Sequence, residues 1–406
     1  MDIQLHHHRR LSLIVGCAVV LVAVVGVVAY MNLPRKAAPT TVSSQQTSTK
    51  DTPKPVSAKA NTLFFGNMYW GRYMNDWSMA NPLKTAYPFS RLSEFNRDQY
   101  NAWITGLECP TVAGFTQTSA QEDTTLSFNC SPDYLPEAAK WFTAVTLANN
   151  HTDNRGAEGF AETKKHLDEN GIQYFGNYDP YVIHDACEVV ALPFTVTYSD
   201  KSTKEQALPV ALCAYHGVFK IPPQEAIDQI SQYAKYMPVI AMPHMGVEYT
   251  AAPDQLKTAT YRAMIDAGAD MVIGDHPHWI QTTEAYKGKL IVYSMGNFMF
   301  DQQDTAEVTR SAAINVVMDT TNASSDNLSQ MLQLGDSCKA FHDTCLTTIT
   351  NKKLTKLPMG YSFGVVGTND KNKITKPATK AEQAAILQRL NWSSTMSQLQ
   401  LPEKSL

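Results

Sequence analysis

Short apolar runs alternate with helical patterns along this chain, and this alternation limits the folds that it can adopt. Runs typical of buried strands occupy residues 63–66, 141–148, 238–242, 271–274, 290–294 and 310–319. Helical patterns cover residues 156–170 and 253–267, and a glycine follows each of them. Strands that alternate with helices predict an α/β protein. Because 44% of the residues are hydrophobic and 18% are charged, we expect most of the chain to be globular.

The N-terminal part of the chain contains a long uncharged segment, residues 11–31. About 20 residues in a helix span ~30 Å, the thickness of the hydrocarbon core of a bilayer. Arg9 and Arg10 precede this segment, and Arg35 and Lys36 follow it, so the flanking charge is nearly balanced. We predict a transmembrane signal anchor at residues 11–31, with residues 1–10 cytoplasmic and the bulk of the chain extracytoplasmic. The protein would then be a single-pass protein of the cell membrane.

Two alternatives to the anchor fit less well. A cleaved signal peptide would have a shorter apolar stretch and a small-residue cleavage site after it. A lipoprotein modified at Cys17 would not continue the apolar run well beyond that cysteine. After the anchor we predict a flexible linker at residues 32–60, a folded domain at 61–365 and a polar, partly helical tail at 366–406. Residues 320–330 and 366–380 are polar, and we expect loops there.

The charge and the cysteine count restrict compartment and partners. The net charge of −4 gives no sign of a basic face, so we expect no nucleic-acid partner. Six cysteines lie outside the anchor, an even number compatible with three disulfides in an oxidising compartment. The sequence does not fix their connectivity. Pairing of neighbours is our expectation: Cys109 with Cys130, Cys187 with Cys213, and Cys338 with Cys345.

Polar residues recur where the predicted strands end. In an open α/β sheet, ligands bind outside the carboxyl ends of the strands. Nitrogen and oxygen ligands of this mixture suit zinc, manganese or iron. Each residue alone is more often a loop or capping residue, but several of one chemical type at successive strand ends favour a joint metal site. The candidates are Glu108, Asn150, His151, His244, His276 and His278.

Four further residues have both a functional and a structural interpretation. Arg72 either binds an anionic substrate group or forms a surface salt bridge. Glu248, soon after His244, either orients that histidine, contacts substrate, or begins a helix. Asn297 and Asp301 either hold the ligand side chains in position or belong to turns. The residues alone do not decide between these alternatives.

The order of the motifs resembles the CapA capsule-synthesis family, also called the poly-γ-glutamate synthesis family. The resemblance covers residues 61–305 and is most specific in its last two blocks. The motifs are LFFGNM at 63–68 with Arg72, GLECP at 106–110, LANNH at 147–151, HMGVEY at 244–249, GADMVIGDHPH at 268–278 and YSMGNF at 293–298.

This family is similar to calcineurin-like metallophosphoesterases, which implies a four-layer α-β-β-α sandwich with two mixed sheets packed face to face. The resemblance also implies roles for individual residues. His151 takes the place of the general acid of the phosphoesterases. Apart from the resemblance, we expect Arg72, Glu248, Asp275 and Asn297 to bind substrate or to support the ligands. The implied ligands of one or two divalent ions (manganese, zinc or iron) are Asn67, Glu108, Asn150, His244, His276 and His278.

Two positions depart from the family pattern. Asn67 stands where the family usually has aspartate, and a neutral amide binds a cation more weakly than a carboxylate. Asp275 stands where the family often has histidine, and its carboxylate either restores the missing charge or orients His276. Occupancy by one ion, by two ions, or a degenerate site all stay open.

Three functions are compatible with these features. The first is a metal-dependent hydrolase or transferase acting on a cell-envelope polymer in capsule or poly-γ-glutamate synthesis or export. The second is an anchored, catalytically degenerate accessory subunit of a polymer synthase. The third is a metallophosphoesterase acting on another phosphoester. The expected partners are the membrane, polymer-synthase membrane subunits and an anionic polymer or phosphoester substrate.

Overall fold

The computed structural model describes residues 52–320, 323–340 and 342–399 of the chain. The predicted cytoplasmic segment and anchor, residues 1–31, lie outside this part of the chain, as do residues 32–51 of the predicted linker. Residues 400–406 of the predicted tail lie outside it too. Among the described residues, no helix combines the length and the apolar character needed to cross a bilayer.

Strand β1 (Pro55–Met68) is the element to which the other strands are joined. It begins six residues earlier than the predicted folded domain, so the prediction of a flexible linker was wrong for residues 55–60. Ala58 and Ala60 are buried, whereas Lys59 between them is exposed. This two-residue alternation is that of a strand with one buried face. The buried side chains of residues 55–60 are small, and composition alone therefore suggested a flexible spacer there.

The strands confirm an α/β protein with a mixed sheet. The remaining strands are β2 (Ala102–Leu107), β3 (Ala144–Thr146), β4 (Gln173–Phe175), β5 (Cys187–Tyr198), β6 (Thr203–His216), β7 (Val239–His244), β8 (Met271–Ile273), β9 (Thr283–Tyr286), β10 (Lys289–Val292), β11 (Asn297–Met299), β12 (Arg310–Asp319), β13 (Gly360–Asn369) and β14 (Lys376–Pro377). Each apolar run of the sequence analysis contributes to one of these strands.

Within the described residues all fourteen strands form one hydrogen-bonded network rather than two separate sheets. The main path runs β14–β13–β12–β1–β5–β6–β7–β8–β10–β9. Strands β2, β3 and β4 branch from β1, and β11 pairs with its end. The sheet is continuous because β1 is long. Its first residues pair with β5, its middle with β12, and its last residues with β2 and β11.

Two sets of parallel strands place their carboxyl ends where the polar motifs lie. Strands β1, β2, β3 and β4 are mutually parallel in that order. Strands β6, β7, β8 and β10 form the second parallel set. The residues after parallel strands meet at one edge of a sheet. Each set therefore gathers the residues that follow its strands.

The two faces of β1 and β2 bury different apolar clusters. Phe64 and Ile104 lie in a core with side chains of β5 to β8 and β10. Leu63, Phe65 and Trp103 point the other way, into an aromatic cluster. In that cluster, the rings of Phe65 and Trp103 are 4.9 Å apart. Because both faces are buried, the end of β1 has a fixed position.

Helices cover the sheet and connect its strands. They are α1 (Arg72–Ala80), α2 (Ser119–Thr125), α3 (Leu135–Ala138), α4 (Gly156–Glu169), α5 (Gln224–Asp228), α6 (Ile230–Ala234), α7 (Gln255–Asp266), α8 (Ala306–Thr309), α9 (Ser325–Ala340), α10 (His342–Asn351), α11 (Lys380–Arg389) and α12 (Trp392–Met396). The two predicted helices are confirmed as α4 and α7. The side chain of Asp254 caps α7 by accepting a hydrogen bond from the backbone N–H of Lys257 at 2.7 Å.

The predicted boundary between domain and tail, at residue 365, was wrong because it falls inside β13. Residues 366–369 continue that strand, and the predicted loop at 320–330 was wrong from Ser325 onward, where α9 begins. Strand β13 contains Gly364 and Gly367, which weaken strand propensity. It is nevertheless paired with β12 over ten residues. Tertiary pairing thus overrides local composition here.

The expected pairing of neighbouring cysteines is confirmed for all three disulfides. They join Cys109 to Cys130, Cys187 to Cys213, and Cys338 to Cys345. The first closes a segment that carries α2 and begins one residue after Glu108. This crosslink ties the segment to the end of β2.

Gly66 in β1 lets two backbones approach closely. A Cβ atom at this position would lie 1.8 Å from the carbonyl oxygen of Gly296, whereas one at Gly364 in β13 would have no neighbour closer than 3.5 Å. We predict that Gly66→Ala lowers the free energy of unfolding by more than about 3 kcal/mol, because backbone must shift. The control Gly364→Ala should change it by less than about 1 kcal/mol. Denaturant unfolding of both variants checks this, and equal effects would contradict it.

Candidate functional site

Residues at or just beyond the carboxyl ends of five strands, drawn from both parallel sets, come together. Asn67 lies in β1, Glu108 follows β2, and Asn150 follows β3. His244 ends β7, while His276 and His278 follow β8. A further parallel bridge between His244 and Asp275 extends the pairing of β7 and β8 beyond the strands. The structure brings these side chains into two adjoining groups.

The first group is centred on His278. Its Nδ1 lies 2.8 Å from Oδ1 of Asn297 and 3.2 Å from Nδ2 of Asn67. Nδ2 of Asn67 also donates to Oδ1 of Asn297 at 3.4 Å. Nε2 of His278 lies 3.9 Å from Oε1 of Glu108. Four predicted site residues from four different segments thus form one buried cluster.

The hydrogen bonds of Asn297 define the tautomer of His278. Nδ2 of Asn297 donates to Oε1 of Gln302 at 3.0 Å and to the carbonyl of Val308 at 3.3 Å, so its Oδ1 faces the histidine. An amide oxygen only accepts hydrogen bonds, and Nδ1 of His278 therefore carries the proton. Burial lowers the pKa of His278 to about 4, which keeps the ring neutral at pH 7. Its Nε2 then presents a lone pair towards Glu108.

Glu108 is a buried carboxylic acid with no hydrogen-bond partner for either oxygen. Burial raises the pKa of its carboxyl well above the usual value, and the charges of Asp275 and Glu248 raise it further. Oδ1 of Asn67 is also buried and unpartnered. An ionised carboxylate facing a lone pair is costly in a buried place unless a cation lies between them.

The second group contains His244, His276 and Asn150. Nε2 of His244 lies 2.9 Å from Oδ1 of Asn150 and 3.1 Å from Nδ1 of His276. Burial lowers the pKa of both histidines well below the usual value, and neighbouring imidazoles lower it further. Oε1 of Glu248, whose side chain is partly exposed, lies 4.0 Å from Nε2 of His276. The two rings are thus neutral and lie in a place with little access to water.

His276 and His278 connect the two groups through an unusual backbone. Their φ angles are 95° and 59°, a region that side chains other than glycine rarely occupy. Their ring centroids are 6.1 Å apart. Tyr249, with a φ of 55°, stacks on His278 at 5.5 Å and accepts a hydrogen bond from Nε2 of Gln302 at 2.8 Å. Strain of this kind concentrates at functional sites.

His151 lies beside the two groups and has partners of its own. Its Nδ1 is 3.1 Å from Oδ1 of Asn154, which also accepts the backbone N–H of Phe128 at 2.7 Å. Nδ1 therefore carries the proton, and Nε2 is the nitrogen left for chemistry. The ring stacks on Phe128 at 4.1 Å. Burial lowers the pKa of His151 to about 4.

Arg72 is held by acidic side chains. Its Nε and Nη2 donate to the two oxygens of Asp301 at 2.8 and 2.7 Å, and its Nη1 donates to Asp123 at 3.1 Å. Its guanidinium also lies 4.5 Å from the ring centre of Phe128. The salt bridge considered for Arg72 is present, and both Arg72 and Asp301 are buried.

Asp275 is buried behind the histidines. Its Oδ1 has no hydrogen-bond partner. Burial raises the pKa of its carboxyl well above the usual value, while the backbone N–H of His276 and the charge of Lys257 lower it. Its backbone oxygen accepts the N–H of Met245 at 3.4 Å. Asp275 thus belongs to the same strand edge without contacting an imidazole nitrogen.

The donor atoms of the two groups bear on whether the site can hold a metal ion. Within the part of the chain that the structure describes, no group of three or more His, Cys, Asp or Glu side chains is arranged to hold an ion. The six candidate ligands include two asparagines and pack directly against one another. The unpartnered oxygens of Glu108 and Asn67 are nevertheless the donor types that a divalent ion accepts.

Sequence reasoning missed three residues of this region: Phe128, Asn154 and His216. His216 ends β6 and is paired in register with His244. The rule that led to His244, a histidine at the end of an apolar run, also applies to His216. Nothing in the local sequence marks Phe128, because its contact with His151 depends on the folded segment between Cys109 and Cys130. Asn154 lies three residues after His151, so sequence reasoning could have considered it.

The fold and site define a class: mixed α/β proteins in which histidines, amides and carboxylates meet beyond the ends of parallel strands. Residues 61–302 match the family described as "Bacterial capsule synthesis protein PGA_cap". The chain belongs to this family. This confirms the resemblance found in the sequence.

Curated relatives agree with this assignment. The chain is 27% identical over 261 residues to "Capsule biosynthesis protein CapA" of Bacillus anthracis, covering 60% of each chain. It is 34% identical over 180 residues to "PGA biosynthesis protein CapA" of Bacillus subtilis (strain 168), covering 43% of this chain and 46% of the relative. It is also 35% identical over 74 residues to "Uncharacterized protein y4sH" of Sinorhizobium fredii, covering 18% and 16%. The matches thus span about half of the two CapA proteins.

The buried pair of Arg72 and Asp301 gives a prediction about stability. We expect Asp301→Ala to lower the free energy of unfolding by about 3–5 kcal/mol, because it leaves a buried guanidinium without its main partner. The double variant Arg72→Met with Asp301→Leu should recover most of this loss. Glu94→Ala, which removes an exposed pair with Arg91, should cost less than about 1 kcal/mol. Denaturant unfolding measures all three, and a double variant no more stable than Asp301→Ala would contradict the prediction.

Proposed function

We propose that this protein acts in capsule or poly-γ-glutamate synthesis or export through a metal-dependent, hydrolase-type site. Family membership supports the biological process, and the matched relatives bear the names of capsule and PGA biosynthesis proteins. The proposal includes a four-layer, metallophosphoesterase-type arrangement of the sheet and helices. It also includes the anchor at residues 11–31, which would hold the folded domain outside the cell membrane.

One observation carries the proposal of a metal site. The buried carboxyl of Glu108 has no hydrogen-bond partner, and its Oε1 lies 3.9 Å from the unprotonated Nε2 of His278. Two facing acceptors are stable in a buried place when a cation lies between them, and 3.9 Å is too long for a neutral carboxylic acid to satisfy the pair by donating its own proton. A purely structural cluster would instead pair the carboxyl with a donor, as Arg72 does for Asp301.

The residues that would hold one or two ions are Asn67, Glu108, Asn150, His244, His276 and His278. Manganese, zinc and iron all accept this mixture of nitrogen and oxygen ligands. When bound, such an ion neutralises substrate oxygens and lowers the pKa of water towards neutrality. Asn297 fixes the ring of His278 for this role.

His151 would move a proton at Nε2. Its Nδ1 proton is committed to Asn154, so the second ring nitrogen is the one that takes or gives a proton. Phe128 and Asn154 hold the ring in place. To act as a general acid, this imidazole must first acquire a second proton, which a bound anionic substrate would favour.

An accessory, catalytically degenerate subunit is the second candidate function. The specific observation in its favour is Asn67, whose Nδ2 is directed at His278 and at Asn297. A neutral amide in this position brings no charge to an ion. In this case the anchor would link the domain to membrane subunits of a polymer synthase. The third function, a phosphoesterase acting on another phosphoester, has less support because it rests on fold analogy alone.

Metal content distinguishes the two candidates. We expect the full-length protein, purified without chelators, to contain roughly one or two equivalents of a transition metal by elemental analysis. His276→Ala should lose most of the metal, because it removes a ligand. His184→Ala, which changes an exposed histidine, should keep it. A wild-type protein that stays free of metal after addition of manganese, zinc or iron would overturn the metal site and favour the accessory subunit.

A second variant tests the role of His151. We expect His151→Ala to keep its metal while the hydrolysis of an activated phosphodiester falls on the order of 10²- to 10⁴-fold, since it removes proton transfer. His184→Ala again serves as the control. Steady-state rates and elemental analysis on the same preparations measure both properties. Unchanged hydrolysis in His151→Ala would remove this residue from the mechanism.

A further inference from the structure

A polar cavity of about 390 Å³ lies beside the candidate site, and the proposed mechanism gives it no role. Its walls are the first turn of α1, the chain that leads into α2, and the residues on either side of Cys130. Of the described residues that line it, none is a proposed metal ligand. Binding sites for small molecules typically have volumes of ~300–1,000 Å³, so this cavity is large enough for a small organic ligand.

The walls of this cavity are held in place by a crosslink and by hydrogen bonds. The disulfide between Cys109 and Cys130 fixes the chain beside Asn129, which lines the cavity. The amide of Asn129 accepts the backbone N–H of Val112 at 3.1 Å and donates to its carbonyl oxygen at 3.0 Å. The side chain of Thr118 caps the start of α2. A cavity that is already ordered loses little conformational entropy when a ligand binds.

The charges that line the cavity do not suit an anionic ligand. Arg72 lies in its wall, but its guanidinium is bonded to Asp301 and Asp123. Asp76 and Glu122 line the cavity as well. Asp76 is exposed and has no hydrogen-bond or ion-pair partner among the described residues. Its carboxylate repels anions and can accept hydrogen bonds from the hydroxyl groups of a neutral ligand.

Two side-chain amides of the cavity have their oxygens occupied and their NH₂ groups available. Oδ1 of Asn75 accepts the hydroxyl of Tyr134 at 2.8 Å, and Oε1 of Gln117 accepts Nη2 of Arg155 at 3.4 Å. Within the part of the chain that the structure describes, neither NH₂ group has a hydrogen-bond partner. The cavity thus combines amide donors with a carboxylate acceptor. A hydroxyl group, which both donates and accepts, can bond to each of them.

Two aromatic side chains add apolar surface to these polar groups. Tyr73, which is 37% exposed, and Phe115 both line the cavity. The guanidinium of Arg155 lies 3.7 Å from the ring centre of Phe115, so only the other face of that ring can meet a ligand. An aromatic face can pack against the C–H groups of a sugar ring. A purely apolar ligand would instead leave the amide donors unpaired, which is unfavourable.

We propose that this cavity binds a neutral sugar unit of a glycan, at a place separate from the proposed metal site. Asp76 accepts the hydroxyl protons of the sugar, and the amides of Asn75 and Gln117 donate to its hydroxyl oxygens. The ring of Tyr73 packs against the sugar ring. The proposal goes beyond the proposed function and does not depend on it, because it uses none of the candidate metal ligands.

The bound sugar would lie close to the candidate site. Arg72 lines the cavity, and its guanidinium is 4.5 Å from the ring centre of Phe128. Phe128 in turn stacks on His151 at 4.1 Å. The cavity and the proposed proton-transfer residue are therefore joined by two packed side chains.

Neutral oligosaccharides test the proposal directly. The probes are chitotetraose and maltotetraose, titrated by calorimetry into the full-length protein in a detergent without a sugar headgroup. Tetraglutamate and spermidine serve as anionic and cationic probes. The variants Asp76→Ala, Gln117→Ala and Tyr73→Ala change exposed side chains, so the fold should persist. Asp98→Ala removes an exposed carboxylate that does not line the cavity and is the matched control.

We expect the wild type to bind at least one of the two oligosaccharides with a dissociation constant of roughly 1 mM or lower. Asp76→Ala and Gln117→Ala should each weaken this binding about three- to tenfold, as for one lost hydrogen bond. Tyr73→Ala should also weaken it, whereas Tyr73→Phe, which keeps the ring, should retain most of the affinity. Asp98→Ala should bind like the wild type.

Three results would overturn the proposal. A wild-type protein that binds neither oligosaccharide has no such sugar site. Equal affinity in the wild type and all the cavity variants would place the bound sugar elsewhere on the protein. Tighter binding of tetraglutamate or spermidine that changes in Asp76→Ala would assign a charged ligand to the cavity. Metal content, measured on the same preparations, should be equal in all variants, which separates this test from that of the metal site.

Discussion

The site depends on a carboxyl group that the fold buries without a partner. Glu108 is 1% exposed, and both of its oxygens lack a hydrogen-bond donor, while the nearest imidazole presents a lone pair. Elsewhere the same protein satisfies a buried acid fully, as in the two bonds from Arg72 to Asp301. The contrast supports our proposal that Glu108 is a ligand for a cation. The histidines around it are neutral, which is the protonation state that metal binding would require.

Strand β1 places this carboxyl group. Its final residues pair with β2 and β11 at once, which sets Asn67 beside both Glu108 and Asn297. Its two buried faces leave it no freedom to shift, and the close approach of Gly66 to Gly296 fixes the spacing. On the other side, the disulfide from Cys109 to Cys130 holds the segment that stacks Phe128 on His151. The rigid sheet positions the proposed ligands, and a crosslinked loop positions His151, the proposed proton-transfer residue.

Much of this arrangement could be predicted from the sequence, because it follows from strand order. Apolar runs that end in histidine or asparagine identified Asn150, His244 and His276, and parallel pairing of β7 with β8 brought the two histidines together. Other features depend on tertiary contacts that no local pattern encodes. The strand from Pro55 has small buried residues, and β13 is glycine-rich, so both resembled linkers. The ion pair between Arg72 and Asp301 joins residues that are more than two hundred positions apart in the sequence.

The most direct test is anomalous diffraction from crystals of the protein grown with manganese. The account predicts a peak bound by a carboxylate oxygen of Glu108 and by Nε2 of His278, at about 2.0–2.3 Å from each. Nδ1 of His278 should stay hydrogen-bonded to Asn297. A crystal that binds manganese elsewhere, or that shows Glu108 paired with a protein donor and no peak beside it, would contradict the account.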